Sequence, residues 1–212
     1  MSGGVGSRKI TPRQVAPVIG LTGGIAMGKS LVSEHLAQQH GWLVLDADVH
    51  AREAVAVGSP VLQRLADRYP GILQADGSLD RPKLGEIIFA DAEARQWVEQ
   101  QIHPFVRDRM TDLRDQHQAQ HPEVPVVWVV PLLFEANLTA TVDRIWVVRC
   151  NPEQQLQRLM QRNGLSQTQA EARIASQWPI AQKCQQADVV FDNATTPAAL
   201  LEQVDQAVSQ VR

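Results

Sequence analysis

Cysteine is scarce in this chain of 212 residues: only Cys150 and Cys184 occur. They form no C-x-x-C pair and no metal-ligand spacing, which excludes a disulfide-rich scaffold and a cysteine-held metal centre. Both read as buried thiols in a reducing compartment, with a single disulfide as the minor alternative. A basic excess is missing as well. The 20 Lys and Arg stand against 23 Asp and Glu, for a net charge of −3 and a pI near 6.1. That balance gives no footing for an extended nucleic-acid surface. No apolar run approaches the roughly 18 residues of a membrane span, so no membrane insertion is expected. Residues 1–17 lack the apolar core of a secretory signal and read as a flexible N-terminal extension. A cytoplasmic chain is the expectation. No internal repeat is visible, and no Asn-Lys-x-Asp tetrapeptide of a guanine-reading switch.

What is present is an apolar share of 44%, enough for one full core and an inserted unit. Residues 18–31 dominate the reading. An apolar run, Val18 to Leu21, leads into Thr-Gly-Gly-Ile-Ala-Met-Gly-Lys-Ser-Leu. Gly23, Gly28, Lys29 and Ser30 fit the spacing G-x-x-x-x-G-K-[ST] of a phosphate-binding P-loop. Backbone N–H groups wrap a polyphosphate closely only where side chains are small. The N-terminus of the helix that follows adds its dipole to the attraction. Gly23, Gly24, Ile25, Ala26, Met27, Gly28, Lys29, Ser30 and Leu31 are therefore the candidate nucleotide-binding residues. Lys29 reaches the β- and γ-phosphates, and the Ser30 hydroxyl is the candidate Mg²⁺ ligand.

Downstream, Trp42 to Leu45 reads as a strand ending in Asp46-Ala47-Asp48. Strand alternation puts Asp46 and Asp48 on one side, at the carboxyl end where open α/β sheets bind ligands. A cap on the next helix is the competing use of one of them. Arg52 follows Asp48 by one helical turn, as an ion-pair partner or a contact to substrate anions. Residues 49–122 read as mostly helical, too long for one crossover, and predict an inserted substrate domain. His103-Pro104 is expected to interrupt its long helix, and His103 is a candidate substrate contact.

Val124 to Val130 predicts a buried parallel strand. The loop Pro131-Leu132-Leu133-Phe134-Glu135 then walls the site with apolar groups, Leu132 among them, and one carboxylate. Further strands are expected at 145–148 and 187–191. The segment 158–183 carries Arg158, Arg162, Arg173 and Lys183. In a P-loop kinase these are candidate cations over the γ-phosphate, delivered by a mobile helical hairpin.

The ordered set of these stretches resembles the dephospho-coenzyme A kinase family. The resemblance runs from about Ile19 to Asn193 and rests on Leu-Thr-Gly-Gly-Ile with Gly28-Lys29-Ser30, Asp46-Ala47-Asp48 with Arg52, Ile102-His103-Pro104, residues 131–135, Gln155-Leu156-Gln157-Arg158-Leu159, Arg162-Asn163-Gly164, and Ala187-Asp188-Val189-Val190 with Asn193. It implies an α/β P-loop NTPase fold with a five-stranded parallel sheet. Residues 18–48, 123–157 and 184–212 would form the nucleotide-binding core, 49–122 the helical CoA-binding domain and 158–183 the lid. The implied reaction moves the γ-phosphoryl of ATP, with Mg²⁺, to the 3′-hydroxyl of dephospho-coenzyme A. Asp48 would orient and deprotonate that hydroxyl, with Lys29 and Arg158 also catalytic. Arg162 would sit on the lid and Asn193 near the adenine. Asp48, Arg52, His103 and Leu132 would meet the acceptor. ATP and dephospho-coenzyme A are the expected partners of a monomer or weak homo-oligomer. Met27, Leu31 and Ala194-Thr195 depart from the family pattern. Another P-loop small-molecule kinase is the nearest alternative, and a nucleotide-sensing module the alternative outside enzymes.

Overall fold

A computed structural model describes residues 15–211. Most of the expected N-terminal extension, residues 1–14, lies outside the described residues. Its last residues are already tied down: Ala16 N donates to Pro122 O at 2.7 Å and Val126 N to Pro17 O at 3.2 Å.

Five strands make one parallel sheet among the described residues: β1 (Val18–Gly23), β2 (Leu43–Asp46), β3 (Val126–Val129), β4 (Arg144–Arg149) and β5 (Val189–Asp192). Their order is β2-β3-β1-β4-β5. The buried β1 and β3 are near-continuous apolar runs, as strands covered on both faces require. Alternation sorts their side chains. Ile19, Leu21, Val127 and Val129 join one core with Val32, Leu36, Trp146, Phe191 and Val204. Val18, Val126 and Trp128 face the other way, onto Leu45, Met110 and Leu133. Gly20 sits mid-strand because a Cβ there would lie 3.0 Å from both Leu133 and Val142.

Helix α1 (Lys29–His40) follows the P-loop and ends at Gly41, which adopts φ 66° and donates to Leu36 O. Between β2 and β3 run α2 (Ala47–Ala54), α3 (Pro60–Arg68), α4 (Arg81–Ala90) and α5 (Ala92–Gln120). They enclose a core of their own, built from Val55, Val61, Leu62, Leu65, Ile72, Leu79, Leu84 and Val98. Leu62 and Leu65 lie in this core, with Ala66 and Tyr69 packed against it. Asp91 caps α5 by accepting Glu93 N at 2.8 Å. The expected interruption at His103-Pro104 does not occur: α5 runs unbroken for 29 residues with Pro104 inside it. Proline removes one donor, and the remaining bonds of so long a helix keep its axis going.

After β4 come α6 (Pro152–Asn163), α7 (Gln167–Ala175) and α8 (Ile180–Gln185), then β5 and α9 (Pro197–Ser209). Gly164 stops α6 at φ 63°, and Ser166 with Gln169 forms a capping box on α7. Both cysteines are free thiols; Cys150 is buried and Cys184 only half-buried.

Candidate active site

The loop between β1 and α1 needs its glycines. Gly28 holds φ 101°, and a Cβ there would stand 2.2 Å from the Asn193 amide. Gly23 holds φ 149°, with Val148 O 2.2 Å from where a Cβ would be. Met27 turns inward: it is 1% exposed, and its sulfur lies 2.7 Å from the Cβ position of Gly24. Its bulk fills the floor beneath the loop, leaving the phosphate side clear. Leu31 likewise packs against the sheet core. Ile25, Ala26, Gly28, Lys29 and Ser30 line a cavity of about 660 Å³.

Lys29 Nζ donates to Gly23 O at 3.2 Å and Gly24 O at 2.9 Å. Its pKa falls from 10.5 to about 8, chiefly through burial and then through Lys183, with Asp48 pulling the other way. A partly buried ammonium at the edge of this cavity and near other cations favours an anion beside it.

Asp46 and Asp48 also line this cavity, but not by strand alternation. β2 stops at Asp46 and α2 begins at Ala47, so Asp48 stands in the first helical turn. Asp46 Oδ1 accepts Asp48 N at 2.8 Å. Capping won because it satisfies an orphan helix donor, and a first-turn carboxylate is favoured by the dipole. Asp48 is exposed, and its side chain opens to the cavity. Its pKa is raised, first by lost hydration and then by Asp46, against the pull of Lys29 and Arg52.

Asp48 has a second neighbourhood. It shares with Ala51, Arg52, Val55, Arg81, Leu84 and Ile102 a cavity of about 320 Å³ reaching into the helical insert. His103 is exposed and lines neither cavity; its neighbour Ile102 faces inward in its place. Leu132, 44% exposed, lines the larger cavity beside the P-loop.

Arg158 and Arg162, one turn apart on α6, face the same cavity as Lys29. Arg158 Nη2 donates to Asn193 O at 3.3 Å. Asn193 itself is buried under the loop, donating to Met27 O at 3.0 Å. Lys183 departs from its expected place over the phosphates. It is 0% exposed and pairs with Glu135 at 2.8 Å, while Glu135 also accepts Trp178 N at 2.8 Å. A carboxylate in an apolar loop needs such a partner to be buried, and Glu135 in its apolar loop is the signal that could have found the pair. Two glutamines were given no role in the sequence reading. Gln177 accepts Ile25 N at 2.8 Å, and Gln155 donates to Ile25 O at 3.0 Å. Together they hold the outer corner of the P-loop.

The glycine loop, Lys29, Arg158, Arg162, Asp46 and Asp48 line one cavity, and Asp48 lines a second one as well. The family model of dephospho-CoA kinase matches residues 17–198. The chain belongs to the dephospho-CoA kinase family. A dephospho-CoA kinase of Synechococcus elongatus is 55% identical over 194 residues, covering 91% of each chain. One from a Nostoc species is 51% identical over 193 residues, 91% of this chain and 96% of that one. Among solved structures, a Thermus thermophilus protein superposes with a TM-score of 0.79 at 31% identity, covering 92% of this chain and 97% of its own. Dephospho-CoA kinase from Campylobacter jejuni gives 0.67 at 26% identity, covering 92% and 96%. No helix among the described residues is long and apolar enough to cross a membrane.

Proposed function

We propose that this chain phosphorylates the 3′-hydroxyl of dephospho-coenzyme A with the γ-phosphoryl of Mg-ATP, and that Asp48 is the group that joins the two substrates. Family membership makes it an ATP-dependent kinase of dephospho-CoA, acting in coenzyme A synthesis. The residue roles rest on one observation: Asp48 lines both cavities. One cavity carries the P-loop, Lys29, Arg158 and Arg162. The other is mostly apolar with two arginines at its mouth, the shape of a site for a pantetheine chain and its anionic head.

In this reading the P-loop amides and Lys29 hold the β- and γ-phosphates, and Arg158 and Arg162 neutralise charge on the moving phosphoryl group. Asp48 orients the acceptor hydroxyl in line and takes its proton. Its raised pKa makes it a stronger base than an ordinary aspartate. The Ser30 hydroxyl and the Asp46 carboxylate are hard oxygen donors opening on one cavity, a set that fits Mg²⁺. Ser30 and Asp46 would hold the ion, which would supply positive charge against the transferring phosphoryl group. Gln155 and Gln177 keep the P-loop amides aimed inward, and Asn193 supports the loop from below.

The division into nucleotide core (18–48, 123–157, 184–212), CoA-binding insert (49–122) and lid (158–183) belongs to this proposal. The separate core of the insert supports it. The lid shares its first helix, α6, with the nucleotide core, so closure would swing on the segments around Gly164. One chain carries every residue of the site, which favours a monomer or weak homo-oligomer. The free thiols fit a cytoplasmic setting. The test is incubation with Mg-ATP and dephospho-coenzyme A, with mass measurement of the product, beside nucleoside, shikimate and gluconate acceptors. Gain of one phosphoryl group on dephospho-coenzyme A alone is expected. Faster transfer to another acceptor overturns the reading.

A further inference from the structure

Far from the P-loop, at the other end of α1, three metal-ligating groups converge. His35 Nε2 and His40 Nε2 each lie 2.7 Å from the same oxygen, Asp205 Oδ1. All three ligand atoms fall within 4.8 Å of one another. The imidazoles are mostly covered, with side chains 13% and 17% exposed, while Asp205 is 51% exposed. The arrangement is held from behind. The two rings meet edge to face at 5.4 Å, His40 leans on Trp42 at 6.3 Å, and Trp42 packs on Trp146 at 5.8 Å. Helices α1 and α9 are already joined by Val32, Leu36, Leu200, Val204 and Val208 in one core, so the backbones that carry the ligands do not have to travel.

We infer that His35, His40 and Asp205 form a binding site for a divalent transition-metal ion of zinc type, which clips the P-loop helix α1 to the C-terminal helix α9. The ligand chemistry suits zinc. Two neutral imidazoles and one carboxylate leave water for the fourth position of a tetrahedral ion. Zn–N and Zn–O bonds of about 2.0–2.2 Å require the ligand atoms to spread to roughly 3.3 Å apart. Asp205 can supply that movement, since its side chain is half in solvent. Each ring must carry its proton on Nδ1 when the ion sits on Nε2; the neutral imidazole changes tautomer and loses no proton. An aspartate is anionic at neutral pH without any special environment, so Asp205 offers a ready carboxylate ligand. Mg²⁺ is a poor competitor here, because it prefers an all-oxygen octahedron. The histidines are spaced i, i+5, not the i, i+3 or i, i+4 that stacks side chains on one helix face, and Asp205 lies 165 residues beyond His40. No linear motif marks the site.

The test is a Zn²⁺ titration of the full chain in excess Mg²⁺, read by calorimetry, by thermal unfolding and, with Co²⁺ as the probe, by visible absorption. One equivalent of Zn²⁺ is expected to bind and raise Tm, and Co²⁺ to give the intense absorption of a tetrahedral site. His40→Gln and Asp205→Asn should each weaken binding by about tenfold or more and abolish the Tm rise, with kcat for dephospho-CoA phosphorylation unchanged. That unchanged kcat shows the variants are folded and separates this site from the kinase site. Zinc binding equal in wild type and both variants, or none in the wild type, overturns the proposal.

Discussion

Lys29→Met should stabilise the protein while destroying its activity. The ammonium sits where its pKa drops from 10.5 to about 8. At about 1.4 kcal/mol per pH unit, holding that charge costs the fold about 3 kcal/mol at neutral pH. Methionine removes the charge but leaves Gly23 O and Gly24 O without their donor, a loss of about 1 kcal/mol each before water replaces it. The net expectation is a gain of about 1–2 kcal/mol, or a Tm higher by about 3–6 °C for a chain of this size. The sign with pH is also set. Between pH 8 and 10.5 the unfolded lysine binds more protons than the folded one, so wild-type stability gains from this group as pH rises through that window. The Met variant lacks that gain, and the difference in Tm between the two proteins should shrink towards pH 10. Calorimetry or thermal unfolding across pH 7–10, without nucleotide, measures it. ATP should raise the Tm of the wild type and leave the variant unmoved. A variant less stable than wild type at pH 7, or a gap that widens with pH, would refute the account of Lys29 as a strained, anion-seeking charge.

The remaining expectations concern the groups around it. Asp48→Asn should keep ATP affinity within a few-fold and lose most of kcat, on the order of 10²–10⁴ for a lost general base; single-turnover kinetics with near-normal phosphoryl transfer would remove Asp48 from the mechanism. The pH profile of kcat/KM should be bell-shaped. Its alkaline limb falls through about pH 8 as Lys29 deprotonates, and its acid limb lies above the range of an ordinary aspartate because the Asp48 pKa is raised. Lys183→Ala should destabilise the fold by about 3–5 kcal/mol by stranding the Glu135 charge, with denaturant unfolding as the check. Lys183→Met with Glu135→Gln in the same chain should recover much of that loss; equal damage in both would mean that packing, not charge, holds the pair.

Much of this molecule was legible from local pattern. Gly23, Gly28, Lys29 and Ser30 announce a phosphate loop because the requirement is local: a positive φ, no Cβ, and a helix start within a few residues. The strands at 18–23 and 126–129 are legible because burial on both faces demands unbroken apolar runs. Elsewhere local pattern misled. Asp46-Ala47-Asp48 allows both strand alternation and helix capping, and only the paired register of β2 with β3 ends the strand at Asp46. Pro104 looked like a break and is not one, because a helix of this length keeps its other bonds. Met27 departs from the family pattern, and its side chain packs beneath Gly24 where no local pattern shows room for it.

The chain on its own determined its chemistry: which residues grip a polyphosphate, which carboxylate is available, and which family it joins. Those properties follow from backbone rules and residue types that act over a few positions. Tertiary structure alone decided which charges meet. Lys183 left the phosphates for Glu135, Asn193 went beneath the loop, and His35 and His40 found Asp205. The reason is electrostatic: the free energy of a charge depends on its burial and on neighbours within a few ångströms, and those neighbours come from elements dozens of residues apart.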